Sequence, residues 1–164
     1  MYMILDGYNI INNWSELKKE AEDNLEDARL KLIEMLINFQ GYSGIKIIVV
    51  YDALYVKGSV EKHEYYNNVE VVYTKEGETA DHYIEGIIKT LAKKEQVVVV
   101  TSDWALQQVV LGEGATRMSS RELHDDLIKY FNEKKKYFVV NNLKNNIESM
   151  LDEDVLKKLR KMSE

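Results

Sequence analysis

The sequence predicts an α/β fold, a mainly parallel sheet with helices on both faces, and three observations lead there. Short apolar runs rich in β-branched residues alternate with segments whose apolar residues recur at helical spacing. The connections between them are short, and no repeat or low-complexity segment interrupts the alternation. Three of the runs also stop abruptly at an aspartate. Strand, helix, strand units of this kind wind right-handedly into a parallel sheet.

The elements follow in order. Residues 2–5 (YMIL) and 45–51 (IKIIVVY) are buried strands, closed by Asp6-Gly7 and by Asp52. Between them Leu25, Ala28, Leu32, Met35, Leu36 and Phe39 define a helix over residues 24–40, with Gly41 and Gly44 at its exit. Residues 69–74 (VEVVYT) form a third strand. Ala80, Tyr83, Ile84, Ile87, Ile88, Leu91 and Ala92 then trace the apolar stripe of a second helix. The run 96–101 (QVVVVT) reads as a central strand covered on both faces and ends at Ser102-Asp103. A helix over about 103–111, a brief strand near 115–118 and a helix over about 120–136 complete the body. The tail carries Leu143, Ile147, Met150 and Leu151, then Val155, Leu156, Leu159 and Met162, the pattern of two short amphipathic helices. The expected division is a domain of residues 1–136 and a helical extension of 137–164. With no proline in the chain, Gly, Asn and Ser mark the turns.

Composition narrows the function. The chain has 164 residues and no cysteine, which excludes disulfides, thiolate catalysis and cysteine-ligated zinc or iron–sulfur centres. The N-terminal MYMILDGYNI lacks the parts of a signal peptide, and no apolar run approaches the roughly 18 residues of a membrane span. A cytoplasmic location is expected. The net charge of −6 argues at first against a nucleic-acid partner. Its distribution is uneven: residues 1–131 carry 14 Lys and Arg against 22 Asp and Glu, residues 132–164 carry 8 against 6. An acidic body is either a solvated surface or holds a carboxylate cluster built for a cation.

Ligands of open parallel sheets bind beyond the carboxyl ends of the strands, and four acids fall there. Asp6, Asp52 and Asp103 follow the first, second and fourth expected strands, and Asp81 lies in the first turn of the helix after the third. Each alone has an ordinary explanation: Asp-Gly is turn chemistry, Ser-Asp caps helices, and an acid in a first turn complements the helix dipole. Together they demand more. Carboxylates about 5 Å apart repel by roughly 3 kcal/mol per pair at an effective dielectric near 20, so four of them need a cation or protons. Oxygen ligands without His or Cys suit Mg²⁺ or Mn²⁺, ions that activate water and stabilise charge on a phosphoryl group.

Five stretches also carry a resemblance: LDGYNII (5–11), VVYDALYVKG (49–58), TKEGETADHYIE (74–85), VTSDWALQ (100–107) and GEGATRMSSREL (112–123). In this order they resemble the YacP-like branch of the NYN domains, within the PIN-like nucleases, over about residues 1–125. The resemblance implies a PIN-like three-layer α/β/α sandwich and a metal-dependent endoribonuclease acting on single-stranded RNA, with mRNA decay or RNA processing as its setting and the ribosome as a candidate partner. It implies Asp6, Asp52, Asp81 and Asp103 as catalytic acids, with Asp6, Asp81 and Asp103 holding Mg²⁺ or Mn²⁺. Asn9 matches the polar neighbour of the first aspartate. Thr79 and Ser102 would orient carboxylates or a metal-bound water, and Glu78 is a further acid. One departure stands out: Leu54 occupies a position where relatives often have His.

Other features have weaker meaning. Lys57, Lys62, His63, Tyr65 and Tyr66 lie in a polar segment between strands, a solvated loop or a grip on single-stranded RNA. Lys75, Arg117 and Arg121 flank the acid edge and suit phosphates, although a structural ion pair serves Arg121 equally well. Lys134-Lys135-Lys136 ends a helix, where positive charge complements the dipole. His82 and His124 lack ligand-like spacing, and Trp14 and Trp104 belong to the core or a lid unless they stack bases. Two other classes compete. A phosphoacceptor receiver domain needs a paired acid after the first strand and a Lys after the fifth, where this chain has Gly7 and RMSS. A non-catalytic RNA- or ribosome-binding module with the same fold is the stronger alternative. A nucleotide switch is unsupported, since neither GxxxxGK[ST] nor GxGxxG occurs.

Overall fold

The structure, a computed structural model, describes residues 1–53, 57–150 and 161, with the side chains of 146–150 outside that description. Leu54 and the second of the two expected tail helices therefore lie outside the described residues. Six strands form one sheet among them: β1 (Tyr2–Asp6), β2 (Lys46–Tyr51), β3 (Lys62–Tyr66), β4 (Val69–Tyr73), β5 (Val97–Val100) and β6 (Thr116–Met118). Their order is β3-β4-β2-β1-β5-β6, parallel throughout except for β3. Met3, Ile4 and Leu5 of β1 and all four valines of β5 are buried, as central strands covered on both faces require.

Alternation along the strands sends side chains to two cores. On one face Ile4, Ile48, Val50, Val72, Val97 and Val99 meet Ala80, Ile84 and Ile88 of α4 (Ala80–Leu91) and Leu106 and Val110 of α5 (Trp104–Gly112). The opposite face is covered by α1 (Gly7–Asn13), α2 (Ser15–Asp23) and α3 (Leu25–Ser43). The result is the expected α/β sandwich. Asn24 caps α3 by accepting from the amides of Glu26 and Asp27, and Gly44, at φ 71°, ends it in the left-handed region.

Four expectations are corrected. A single helix was read between the first two strands, but α1 and α2 precede α3. They escape periodicity because α1 has only seven residues and α2 buries only Leu17. Gly7 opens α1 rather than forming a turn. A Cβ there would run into the buried ring of Tyr51, so glycine serves close packing. The segment 62–66 is an edge strand, joined to β4 through Asn67 at φ 55° and Asn68. Its polar residues pair with one another: Lys62 Nζ lies 2.9 Å from Glu64, and His63 sits between Glu61 and Glu70 at 2.8 and 2.6 Å. Finally, α6 (Ser120–Met150) does not stop at 136, so Lys134-Lys135-Lys136 lie inside a helix and not at its C-terminus. No Gly or Pro occurs between 120 and 150 to break it, and Leu143 belongs to this helix and not to a separate one.

Two compact units divide the chain at Met1–Leu127 and Ile128–Glu164. The first contains the whole sheet and α1 to α5. No helix among the described residues is long and apolar enough to cross a membrane.

Candidate active site at the carboxyl edge of the sheet

Register decides where the acids meet. Leu5 lies opposite Val49 on one side and Val100 on the other, so β1, β2 and β5 end nearly level. Asp6 closes β1, and Asp52 and Asp103 follow β2 and β5 by one and three residues. The loop after β4 returns to the same edge because Thr74, fully buried, accepts from the Ala53 amide at 2.9 Å and donates to the Glu78 carbonyl at 2.8 Å. Buried Thr101 fixes the other turn by accepting from the Asp103 amide at 3.0 Å.

Each aspartate is held by a helix start. Asp6 accepts from the Asn9 amide at 3.2 Å and caps α1, and Asp103 accepts from the Leu106 amide at 2.8 Å and caps α5. Asp52 reaches the Ala80 amide at 3.4 Å, at the beginning of α4, whose first turn carries Asp81. Burial pushes the Asp6 carboxyl up from its usual 3.8 to about 6; Asp81 and Asp52 add to the rise and the Asn9 amide opposes it. Burial likewise raises Asp81, with Asp103, Glu85 and Asp52 contributing. The acids thus share one field. Neither Asp6 nor Asp81 has a Lys or Arg partner among the described residues.

The polar neighbours take definite partners. Asn9 donates through Nδ2 to Ser102 Oγ at 3.1 Å, tying α1 to the turn after β5. Thr79 caps α4 by accepting from the His82 amide at 3.1 Å. Glu78 has one buried carboxylate oxygen without a hydrogen-bond partner among the described residues, whereas Glu76 accepts from the Gly58 amide at 2.9 Å and closes a loop. Lys57, Lys75, Arg117 and Arg121 are all exposed. Trp14 is core, its indole donating to the Ser120 carbonyl at 2.9 Å, but Trp104 is 72% exposed beside Asp103, which removes the core option and leaves the lid and base-stacking ones. His82 is exposed, and His124 meets Glu16 at 2.6 Å.

Two participants were missed. Glu85 stands one helical turn beyond Asp81, and Asn13 one turn beyond Asn9, donating to its Oδ1 at 3.1 Å; the i, i+4 spacing could have found both.

A cation fits this edge in kind. The donors are all oxygens, and burial, aided by neighbouring acids, opposes the ionised forms of Asp6 and Asp81, an opposition that a hard divalent ion would relieve. In position the fit is looser: among the described residues no group of three or more His, Asp or Glu side chains converges as a metal site does. Holding an ion would draw the carboxylates closer than they stand.

A parallel α/β sandwich with a carboxylate-lined strand edge is a class that includes nucleases of the PIN type, and the comparisons agree. The chain belongs to the YacP-like NYN domain family, whose model matches residues 3–164. It is 43% identical over 122 residues to the uncharacterised protein YacP of Bacillus subtilis (strain 168), covering 74% of this chain and 71% of that protein. Two crystal structures of Rae1 (YacP) from Bacillus subtilis are similar, each at 35% identity. One superposes with a TM-score of 0.72 over 99% of this chain and 94% of the other. The second, of a tryptophan-to-leucine mutant, gives 0.70 over 83% and 79%. Membership supports a general nuclease or RNA-processing role.

Proposed function

We propose that the chain is a Mg²⁺- or Mn²⁺-dependent endoribonuclease that hydrolyses single-stranded RNA, acting in mRNA decay or RNA processing in the cytoplasm, with the ribosome as a candidate partner. Residues 1–136 would form the nuclease domain and 137–164 its helical extension. The observation that carries the reading is the gathering of Asp6, Asp52, Asp81 and Asp103 at one sheet edge, where burial, with lesser contributions from Asp81 and Asp52, lifts Asp6 to about 6.

Asp6, Asp81 and Asp103 would hold the cation, with Asp52 beside them. When bound, the ion supplies an activated water and stabilises charge on the phosphodiester. The chain's own groups do the rest. The capping bonds donated by the Asn9 and Leu106 amides fix Asp6 and Asp103 to helix starts. The Asn9–Ser102 bond locks the two strand ends against each other. Lys75, Arg117 and Arg121 would attract the RNA backbone, which the acidic edge alone would repel.

Cleavage of a labelled single-stranded RNA tests this, with Mn²⁺ or Mg²⁺ and with EDTA. Wild type should cut only with metal and leave 5′-phosphate and 3′-hydroxyl ends, and Asp81→Asn should lose at least about a hundredfold in rate. Products carrying 2′,3′-cyclic phosphates would overturn the mechanism. Metal-independent binding of RNA without any cutting, by folded wild type, would favour the non-catalytic module.

A further inference from the structure

Beside the acid edge the surface opens into a cavity of about 320 Å³, lined by Asn13, Trp14, Ser15, Ser120, Arg121 and His124. Its volume lies at the lower end of small-molecule sites. Its lining offers an amide, a hydroxyl, a guanidinium and an imidazole around a buried indole. Arg121 is exposed and has neither an ion-pair nor a hydrogen-bond partner among the described residues, unlike His124, which is committed to Glu16.

Two independent routes place this cavity next to Asp6. Along α1, Asp6 caps the helix and Asn13 ends it, seven residues or about 10 Å away. Asn9 bridges them: its amide donates to Asp6, and its side-chain oxygen accepts from Asn13. Across the sheet, β6 is two strands from β1, again about 10 Å at the usual strand spacing, and the chain leaving β6 runs directly into Ser120 and Arg121. Asn9 also holds Ser102 on the intervening strand end. The cavity therefore lies about 10 Å from Asp6, on the β5–β6 side of the same edge.

We propose that this cavity is a nucleotide subsite for the strand being cut. It rests on the ribonuclease reading and names where a nucleotide next to the cleaved phosphodiester is held. Arg121 takes a phosphate, by the charge-assisted fork that guanidinium groups make with such oxygens. Asn13 and Ser15 meet the ribose or base edge. A single strand suits the site, because an unpaired nucleotide can be turned into a pocket while a duplex cannot release one without losing its stacking. The ladder from Asp6 through Asn9 to Asn13 keeps the subsite at a fixed distance from the reacting acids.

The test has a binding arm and a cleavage arm. In EDTA, isotope-labelled protein is titrated with each 5′-mononucleotide, with the matching nucleosides and with inorganic phosphate. The side-chain amide of Asn13 and the indole N–H of Trp14 report on the cavity. Mononucleotides should shift both signals, Arg121→Ala should abolish the shift, and Arg121→Lys should restore part of it. In cleavage, Arg121→Ala should raise KM about tenfold with little change in kcat, as loss of one charge-assisted contact predicts. Equal shifts with phosphate alone would reduce the cavity to an anion site and overturn the proposal. So would RNA cleavage whose KM is unchanged in Arg121→Ala. Shifts that depend on Arg121 in a protein that cuts no RNA would leave the cavity a nucleotide site and sink the nuclease reading, so the two fail distinguishably.

Discussion

Replacing Asp6 by Asn should stabilise the metal-free protein, although it removes a residue placed at the centre of the site. The ionised carboxyl is held where burial and the charges of Asp81 and Asp52 oppose it. A rise from 3.8 to about 6 corresponds to about 3 kcal/mol of destabilisation once the group is ionised. Asparagine keeps the cap on α1, since it serves as well as aspartate at that position, and gives up at most about 1 kcal/mol of interaction with the helix dipole. The net gain at pH 7.5 is then about 2 kcal/mol, or roughly 4–8 °C in Tm for a chain of this length.

The pH dependence has a definite sign. The folded carboxyl binds its proton more tightly than the unfolded one, so wild type loses stability as pH rises from 3.8 through about 6. Asp6→Asn lacks that loss. Its advantage should be near zero at pH 4, grow between 4 and 6, and level off above. Urea denaturation in EDTA, followed by the fluorescence of buried Trp14, measures it. Millimolar Mg²⁺ or Mn²⁺ should shrink or reverse the advantage, because only wild type retains the ligand. A variant that is no more stable at pH 7.5, with a difference constant from pH 4 to 8, would refute the reasoning.

Two further outcomes follow from side chains near the edge. Tyr51→Phe should stabilise the fold by about 1 kcal/mol, because the Tyr51 hydroxyl is buried without a hydrogen-bond partner among the described residues; thermal unfolding checks it, and a clear loss of stability would reveal a partner for the hydroxyl. Trp104→Ala should leave stability within about 0.5 kcal/mol, since the ring is exposed, yet weaken single-stranded RNA binding by about 1–3 kcal/mol. Fluorescence anisotropy with a labelled oligonucleotide decides it, and unchanged affinity would remove Trp104 from the RNA path.

What the sequence disclosed and what it hid divide along a physical line. β1, β2, β4 and β5 were legible because they are buried, and burial on both faces writes an apolar run into the chain. β3 was hidden because an exposed edge strand held to β4 by its backbone ladder needs no apolar run; only Asn67-Asn68 hinted at it. Asp6, Asp52 and Asp103 were legible because strand ends are marked by where the apolar runs stop, and Asp81 because it opens the apolar stripe of the next helix. The residues that aim them were not. Thr74 and Thr101 looked like the last letters of strands, yet each is a buried hydroxyl that satisfies a loop amide and so fixes the path of the turn. Asn13 looked like one polar residue among several, and its meaning depends on Asn9, one turn back, and on Arg121, more than a hundred residues away in sequence. A chemical group declares itself by its type, but its direction is set by partners that only the fold brings near. The carboxylates therefore predict a chemistry, while in the proposed subsite the substrate's position rests on Asn9, Asn13 and Arg121, so varying Asp81 tests whether the chain cuts and varying those three tests where the strand lies.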